Sequence, residues 1–133
     1  MKAFIDASAI VAILADEKDG EAIAQKLDGL KSMLTSAIVE YEVDTALART
    51  NKLKIKAAIA LYRDFAELAG FDCMDITKSV STEALAAHAR FGKGHHKAAL
   101  NMGDCFSYAC AKTYNVPLLF KGNDFASTDI PKV

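Results

Sequence analysis

The chain has 133 residues, of which 52% are hydrophobic and 25% charged. This length and mixture are typical of one globular domain, and they exclude a disordered or fibrous protein. The formal net charge of −1 provides no global positive field, so any contact with nucleic acid would have to be organised locally by a bound cation and a few basic side chains. We therefore expect a single domain spanning residues 1–133.

Cysteine usage and the apolar start of the chain indicate a cytoplasmic protein. Cys73, Cys105 and Cys110 are odd in number and form no CxxC pair, so we expect buried thiols in a reducing compartment. The apolar segment Ala3–Ala15 contains Asp6, whose charge at the centre of a membrane helix would cost roughly 2.5–3.5 kcal/mol. The segment is also shorter than the roughly 20 residues of a membrane span. We expect neither export nor membrane insertion.

The first half of the chain alternates short apolar strands with helices. A buried strand is predicted at Lys2–Asp6, and Ser8 is the expected N-cap of the helix that follows it. Strand followed by helix is the opening of an α/β unit. The next predicted elements are a helix at Gly20–Leu30, a strand at Ser32–Ser36 and a helix at Ala37–Arg49.

The second half continues the alternation. Apolar residues recur at helical spacing along Lys54–Ala69, which predicts an amphipathic helix that Gly70 ends. The residues of this stripe are Ile55, Ile59, Tyr62, Ala66 and Ala69. A strand at Phe71–Ile76 precedes a helix with an inward stripe of Val80, Ala84, Ala87 and Phe91. A break at Gly92–His96, a helix starting near Asn101–Asp104, a strand at Leu118–Phe120 and a turn at residues 122–124 complete the predicted order.

This order predicts an α/β fold with three layers, in which a parallel sheet is flanked by helices on both faces. Sheets of this kind bind their ligands at the carboxyl ends of the strands. The chain contains no repeat, low-complexity run or linker, which agrees with a single domain.

Four acidic residues from distant segments fall where such a sheet would place a site. Asp6 ends the first strand, Glu42 lies on the helix after the second strand, Asp104 opens the last helix and Asp124 follows the last strand. For any one of them alone a simpler interpretation is favoured, namely a strand end, a first-turn acid stabilised by the helix dipole, or a turn former.

Glu42 is the hardest of the four to explain by local structure. Its neighbours at i−4, i−3 and i+4 are apolar, so its carboxylate is set beside an apolar face and needs a partner. Glu40 has Ser36 and Asp44 at i−4 and i+4, a more solvated setting. We therefore prefer Glu42 as the site acid, with Glu40 as the open alternative.

Four converging carboxylates would repel one another and raise their pKa values unless a cation neutralised them. An all-oxygen site without cysteine or histidine at ligand spacing favours Mg²⁺ or Mn²⁺ over zinc, with one or two ions left open. Such an ion can activate water for attack on a phosphodiester.

Other chemistries lack their motifs. The sequence has no GxGxxG, P-loop, GxSxG or HExxH, and no second aspartate beside Asp6 as in a phosphoaspartyl hydrolase. His95 and His96 stand in a basic loop that we interpret as a solvated face rather than a ligand pair. Contact with an RNA backbone is the functional alternative for that loop, which also carries Arg90, Lys93 and Lys97.

Three segments of the sequence resemble the VapC-like branch of the PIN-domain ribonucleases, and the likeness extends over nearly the whole chain. The long middle segment is the specific part, whereas the first is weak alone. The segments are FIDASA at residues 4–9, FGKGHHKAALNMGDCFSYA at residues 91–109 and LLFKGNDF at residues 118–125.

This resemblance implies a PIN-like domain and a metal-dependent endoribonuclease, the toxin of a toxin–antitoxin pair. It implies that Asp6 and Asp104 are metal ligands and that Ser8 and Asn101 are supporting polar groups. The acidic quartet of the family is matched by Asp6, Glu42, Asp104 and Asp124.

The resemblance also implies a homodimer that acts on RNA and is inhibited by a small VapB-like antitoxin made from the same operon. The sequence departs from the family at His95, where arginine is frequent, and at Lys97, where proline is frequent. The alternative function is a PIN-like binding module that has lost catalysis. Retention of all four acids favours the nuclease.

Overall fold

The structure, a computed structural model, describes all residues 1–133. Strands and helices alternate along the chain, and every predicted element is present. They are β1 (Lys2–Ile5), α1 (Ala7–Leu14), α2 (Gly20–Asp28), β2 (Ser32–Ser36), α3 (Ala37–Thr50), α4 (Ile55–Ala69), β3 (Asp72–Met74), α5 (Lys78–Phe91), α6 (Met102–Thr113) and β4 (Leu118–Leu119).

The four strands form one parallel sheet in the order β3-β2-β1-β4. Phe4 of β1 lies opposite Leu34 of β2 on one side and Leu118 of β4 on the other. Because crossovers between parallel strands are right-handed, α1 to α4 cover one face of the sheet and α5 and α6 cover the other. The predicted three-layer α/β fold is confirmed.

The core is built around the central strand β1, whose residues Ala3, Phe4 and Ile5 are fully buried. A parallel strand that is covered on both faces carries a continuous apolar run rather than an alternating one. The helix α5, on the opposite face, has the inward stripe that its spacing predicted. All four residues of this stripe are buried: Val80, Ala84, Ala87 and Phe91.

The ends of several elements differ from the sequence prediction. The helix α4 ends as predicted at Gly70, which adopts the left-handed conformation with φ +73°. The helix α2 stops at Asp28, two residues earlier than predicted. The strand predicted at Phe71–Ile76 is reduced to the three residues of β3, because this strand lies at the sheet edge and pairs only along the end of β2.

Three smaller predictions were wrong. The N-cap of α1 is Asp6 rather than Ser8, because the Asp6 backbone is still extended and its carboxylate accepts the Ser8 N–H. Cys73 is exposed, because it lies on the edge strand, whereas Cys105 and Cys110 are buried as expected. Ile55 at the start of α4 is exposed rather than inward-facing. None of the helices combines the length and apolar composition that crossing a membrane would need.

Leu47 of α3 is fully buried, whereas Leu68 of α4 is 89% exposed. We expect Leu47→Ala to lower the free energy of unfolding by about 2–5 kcal/mol, since it removes buried methyl groups and leaves a cavity. Leu68→Ala, the same change on a neighbouring helix, should stay within about 0.5 kcal/mol of the wild type. Urea unfolding of both variants measures the difference, and equal losses would contradict this description of the core.

Candidate active site

Four acidic side chains meet at the carboxyl edge of β1 and β4. Asp6 directly follows β1, Glu42 comes from the second turn of α3, Asp104 from the first turn of α6, and Asp124 from the turn after β4. Their charges act on one another: Asp6 and Asp104 act on Glu42, and Asp6 and Asp124 act on Asp104. The structure therefore brings together the four acids that the sequence analysis singled out.

Asp6 is the most deeply set of the four, with 3% of its surface exposed. Its Oδ2 accepts hydrogen bonds from the Ser8 backbone N–H at 3.0 Å and from the Ser8 hydroxyl at 2.6 Å. The same hydroxyl accepts the backbone N–H of Lys121 at 3.0 Å. Ser8 thus fixes the Asp6 carboxylate and ties it to the segment that follows β4, while Oδ1 of Asp6 is left for another partner.

Asp104 combines a structural bond with a place in the acidic cluster. Its Oδ2 accepts the Asn101 N–H at 3.1 Å, and the Asn101 side chain accepts the Asp104 N–H at 2.9 Å, which makes a capping box. Burial raises the pKa of Asp104 to about 6, assisted by the charges of Asp6 and Asp124 and opposed by the Asn101 bond. The cap uses one carboxylate oxygen and leaves the other free.

Glu42 lies against the start of α6. A side chain at Gly103 would meet the Glu42 carboxylate, so glycine at this position lets that carboxylate lie directly against the start of α6. Burial, followed by the charges of Asp6 and Asp104, raises the pKa of Glu42 to about 7. Its Oε1 is buried without a hydrogen-bond partner. A buried carboxylate oxygen with no donor is costly unless a ligand or cation meets it.

The donor set fits a hard divalent cation. It consists of carboxylate oxygens, of which Oε1 of Glu42 is orphaned and one oxygen each of Asp6 and Asp104 is unused. No three histidine, cysteine or acidic side chains form a preassembled metal cage. Mg²⁺ does not need such a cage, since it keeps several waters and is commonly held by one or two carboxylates.

Glu40, the alternative site acid, points elsewhere. Its carboxylate pairs with Arg63 of α4 at 3.1 Å, on the side of α3 away from the acidic cluster. The Glu40 side chain is 29% exposed, whereas Asp44, one turn away, is only 5% exposed because α4 packs over this side of α3. Burial and the Glu40 charge raise the pKa of Asp44 to about 6.

The histidines do not form a ligand pair. His95 packs edge-on against His88, with ring centroids 5.0 Å apart, whereas His96 packs against Phe91 at 5.2 Å. The Nδ1 of His96 also accepts the Ala98 N–H at 3.0 Å. The two adjacent side chains therefore have separate partners.

A cavity of about 470 Å³ opens beside the acidic cluster and is bordered by Ser8, Glu42 and Asn101. Three charged residues that the sequence analysis did not select also line it: Glu17, Arg49 and Lys121. Arg49 follows Glu42 by seven residues, two helical turns, and this spacing could have revealed it. The contact between Glu17 and Lys121 spans 104 positions, and no local pattern marks it.

The profile of the PIN domain family matches residues 3–131 of the chain. A VapC ribonuclease of Mycobacterium bovis is 40% identical over 131 residues, which cover 97% of this chain and 96% of the relative. A VapC ribonuclease of Rhizobium meliloti is 37% identical, covering 96% of this chain and 98% of the relative.

Two solved structures share the fold. The crystal structure of Mycobacterium tuberculosis VapC20, described as a toxin that cleaves the sarcin–ricin loop, matches with a TM-score of 0.79 at 18% identity, covering 100% of this chain and 98% of the other. A toxin–antitoxin complex from Klebsiella pneumoniae matches with a TM-score of 0.69 at 17% identity, covering 96% and 92%.

The raised pKa of Glu42 makes a prediction about stability in metal-free protein. The folded protein keeps a proton on Glu42 up to about pH 7, whereas the unfolded chain loses it near the ordinary value of 4.5. Stability therefore falls as the pH rises between these two values. Glu42→Gln has no such loss. Its free energy of unfolding relative to the wild type should therefore be about 1–2 kcal/mol higher at pH 8 than at pH 4, a range that allows for solvent screening at the cavity mouth.

The measurement is urea unfolding in EDTA at both pH values. The control is Glu83→Gln, since Glu83 lies outside the cluster and only approaches Lys112 at 3.9 Å. A pH-independent difference between Glu42→Gln and the wild type would mean that the pKa of Glu42 is not raised in the folded protein.

Proposed function

Since this chain belongs to the PIN-domain family, and to its VapC branch, we propose that it is an endoribonuclease and the toxin of a toxin–antitoxin pair, with Mg²⁺ or Mn²⁺ as cofactor. One observation carries the proposal. Four carboxylates from separate segments converge at one edge of the sheet, and Oε1 of Glu42 is buried among them without a donor. A fold does not need this arrangement for stability, because like charges at one site repel.

Asp6, Glu42, Asp104 and Asp124 are the proposed catalytic residues, with Asp6 and Asp104 as metal ligands. The support is geometric: each ligand has one oxygen engaged by the protein and one free. Ser8 and the Asn101 backbone N–H donate to the engaged oxygens, so that the free oxygens of Asp6 and Asp104 keep a fixed direction. Pre-orientation of this kind reduces the reorganisation needed when substrate binds.

The proposed reaction is hydrolysis of a phosphodiester in RNA. Mg²⁺ or Mn²⁺ bound at this site would lower the pKa of a water and neutralise charge that builds on the phosphate oxygens. The water oxygen bonds to phosphorus, the bond to the leaving ester oxygen breaks, and the leaving oxygen takes up a proton. Glu42 Oε1 is free to accept a hydrogen bond from the attacking water, and Asp124, exposed in its turn, borders the same centre.

A VapB-like antitoxin and a second copy of this chain are the proposed protein partners. A complex of toxin and antitoxin, from Klebsiella pneumoniae, shares the fold. Self-association is supported by Leu85 and Met102, each 68% exposed, which border an apolar cavity of about 480 Å³ between α5 and α6. The cytoplasm is the proposed location, because all three cysteines are unpaired.

We expect the purified protein to cleave RNA with Mg²⁺ or Mn²⁺ and to be silent in excess EDTA, since the carboxylates alone supply no Lewis acid. Glu42→Gln and Asp104→Asn should each reduce the rate by at least about 100-fold. Glu40→Gln is the matched control, because Glu40 pairs with Arg63 outside the cluster, and it should keep most of the activity. Cleavage is followed on end-labelled RNA by gel electrophoresis.

Undiminished cleavage in EDTA would contradict the proposed dependence on Mg²⁺ or Mn²⁺. Loss of cleavage with Glu40→Gln instead of Glu42→Gln would move the catalytic role from Glu42 to Glu40. RNA binding without cleavage under any metal would favour the catalytically inactive binding module. Sequencing the 5′ ends of fragments that accumulate when the protein is induced without an antitoxin would then identify the RNA and the bases at the cut.

A further inference from the structure

An acidic centre that acts on RNA must overcome repulsion of the phosphate backbone. The net charge of the chain is −1, so the protein as a whole offers no attraction. Most of the affinity of a protein for nucleic acid comes from cationic side chains on phosphates, which position the substrate without reading its sequence. The cations that do this here should lie beside the acidic cluster, and the cavity there contains two, Arg49 and Lys121.

The position of Lys121 is fixed relative to Asp6. Its backbone N–H donates to the Ser8 hydroxyl at 3.0 Å, and that hydroxyl donates to Asp6 at 2.6 Å. The side chain then extends along the cavity, where Nζ binds Glu17 at 2.7 Å. Both side chains of this pair are about one third exposed, at 34% and 35%. An ion pair in such a setting is weak and is open to competition by another anion.

Arg49 lies on the same side of α3 as Glu42, about 10 Å further along the helix axis. Its side chain is exposed at the cavity and forms no ion pair with any carboxylate of the chain. A guanidinium without an intramolecular partner can bind two phosphate oxygens at once.

We propose that Arg49 and Lys121 bind backbone phosphates of the RNA next to the acidic centre, and that Glu17 competes with the RNA for Lys121. The inference rests on the proposed function for the identity of the substrate. Arg49 and Lys121 are positioning residues in this proposal, because they hold the RNA backbone beside the four acids and do not belong to that group. Glu17 is then a built-in restraint on RNA affinity, because its carboxylate occupies Lys121 until a phosphate displaces it.

The test measures binding separately from cleavage. All variants are made in an Asp104→Asn background without metal, and a fluorescent single-stranded RNA is titrated at several salt concentrations. Arg49→Ala and Lys121→Met should each weaken binding about fivefold to tenfold at low salt. Each should also reduce the slope of log K against log salt by about 0.7, the value for one phosphate contact on a single strand. Glu17→Gln should strengthen binding, and it should lose this effect when Lys121→Met is also present.

The chain offers matched controls outside the cavity. Lys112 and Glu83 form an exposed pair at 3.9 Å, so Lys112→Met and Glu83→Gln repeat the charge changes made at Lys121 and Glu17. Arg63→Ala repeats the change made at Arg49. These controls should leave both the affinity and the salt slope unchanged. Thermal melts of every variant exclude loss of the fold as the cause of a weaker affinity.

In the protein with its four acids intact, Arg49→Ala should raise KM with a smaller effect on kcat, as expected for a positioning residue. If Arg49→Ala and Lys121→Met bind RNA like their background protein, the inference is wrong, even when the enzyme cleaves RNA. If they weaken RNA binding as expected in a protein that does not cleave, the inference stands and the proposed activity fails. Weakened binding of antitoxin with unchanged binding of RNA would reassign both cations to a protein interface.

Discussion

The site depends on one buried carboxylate, that of Asp6, at the point where the central strand ends and the first helix begins. It caps α1 through the Ser8 N–H and accepts the Ser8 hydroxyl, which in turn accepts the backbone of Lys121. The Asp6 backbone N–H also donates to Leu119 at 2.9 Å. One residue therefore couples β1, α1 and the segment after β4, so the most distant parts of the chain meet at the acid that defines the site.

The convergence of the four acids concentrates negative charge in a partly buried site. Asp104 satisfies the start of α6 with one oxygen, and Glu42 is pressed against Gly103 of the same helix turn. Packing and helix capping hold these acids in place although their charges repel one another. Burial, followed by the neighbouring charges, raises the pKa values of Glu42 and Asp104. Such strain at a functional centre is stable only because a well-packed core surrounds it.

Fold and site were predictable to different extents. Strand and helix alternation gave the layer order. The apolar stripes gave the inward faces of α5 and, apart from Ile55, of α4, because helical spacing is a local property. The predicted ends of elements were wrong where strand pairing decides them. The strand β3 is short because it lies at the edge of the sheet and pairs only with the last three residues of β2. Asp44 is buried for a related reason: it lies one turn from Glu40 on α3, and α4, a separate helix, packs over it.

The sequence by itself determined the α/β class and the family, and it selected four candidate acids with Glu40 as the open alternative to Glu42, because each of these is carried by local patterns and by residue type. Only the tertiary structure decided that Glu42, rather than Glu40, lies with the other acids, since that depends on which side of α3 meets α6. It alone also brought Glu17 to Lys121, which is 104 positions away. Contacts between residues far apart in the chain follow from how helices pack on the sheet, and no local spacing encodes them.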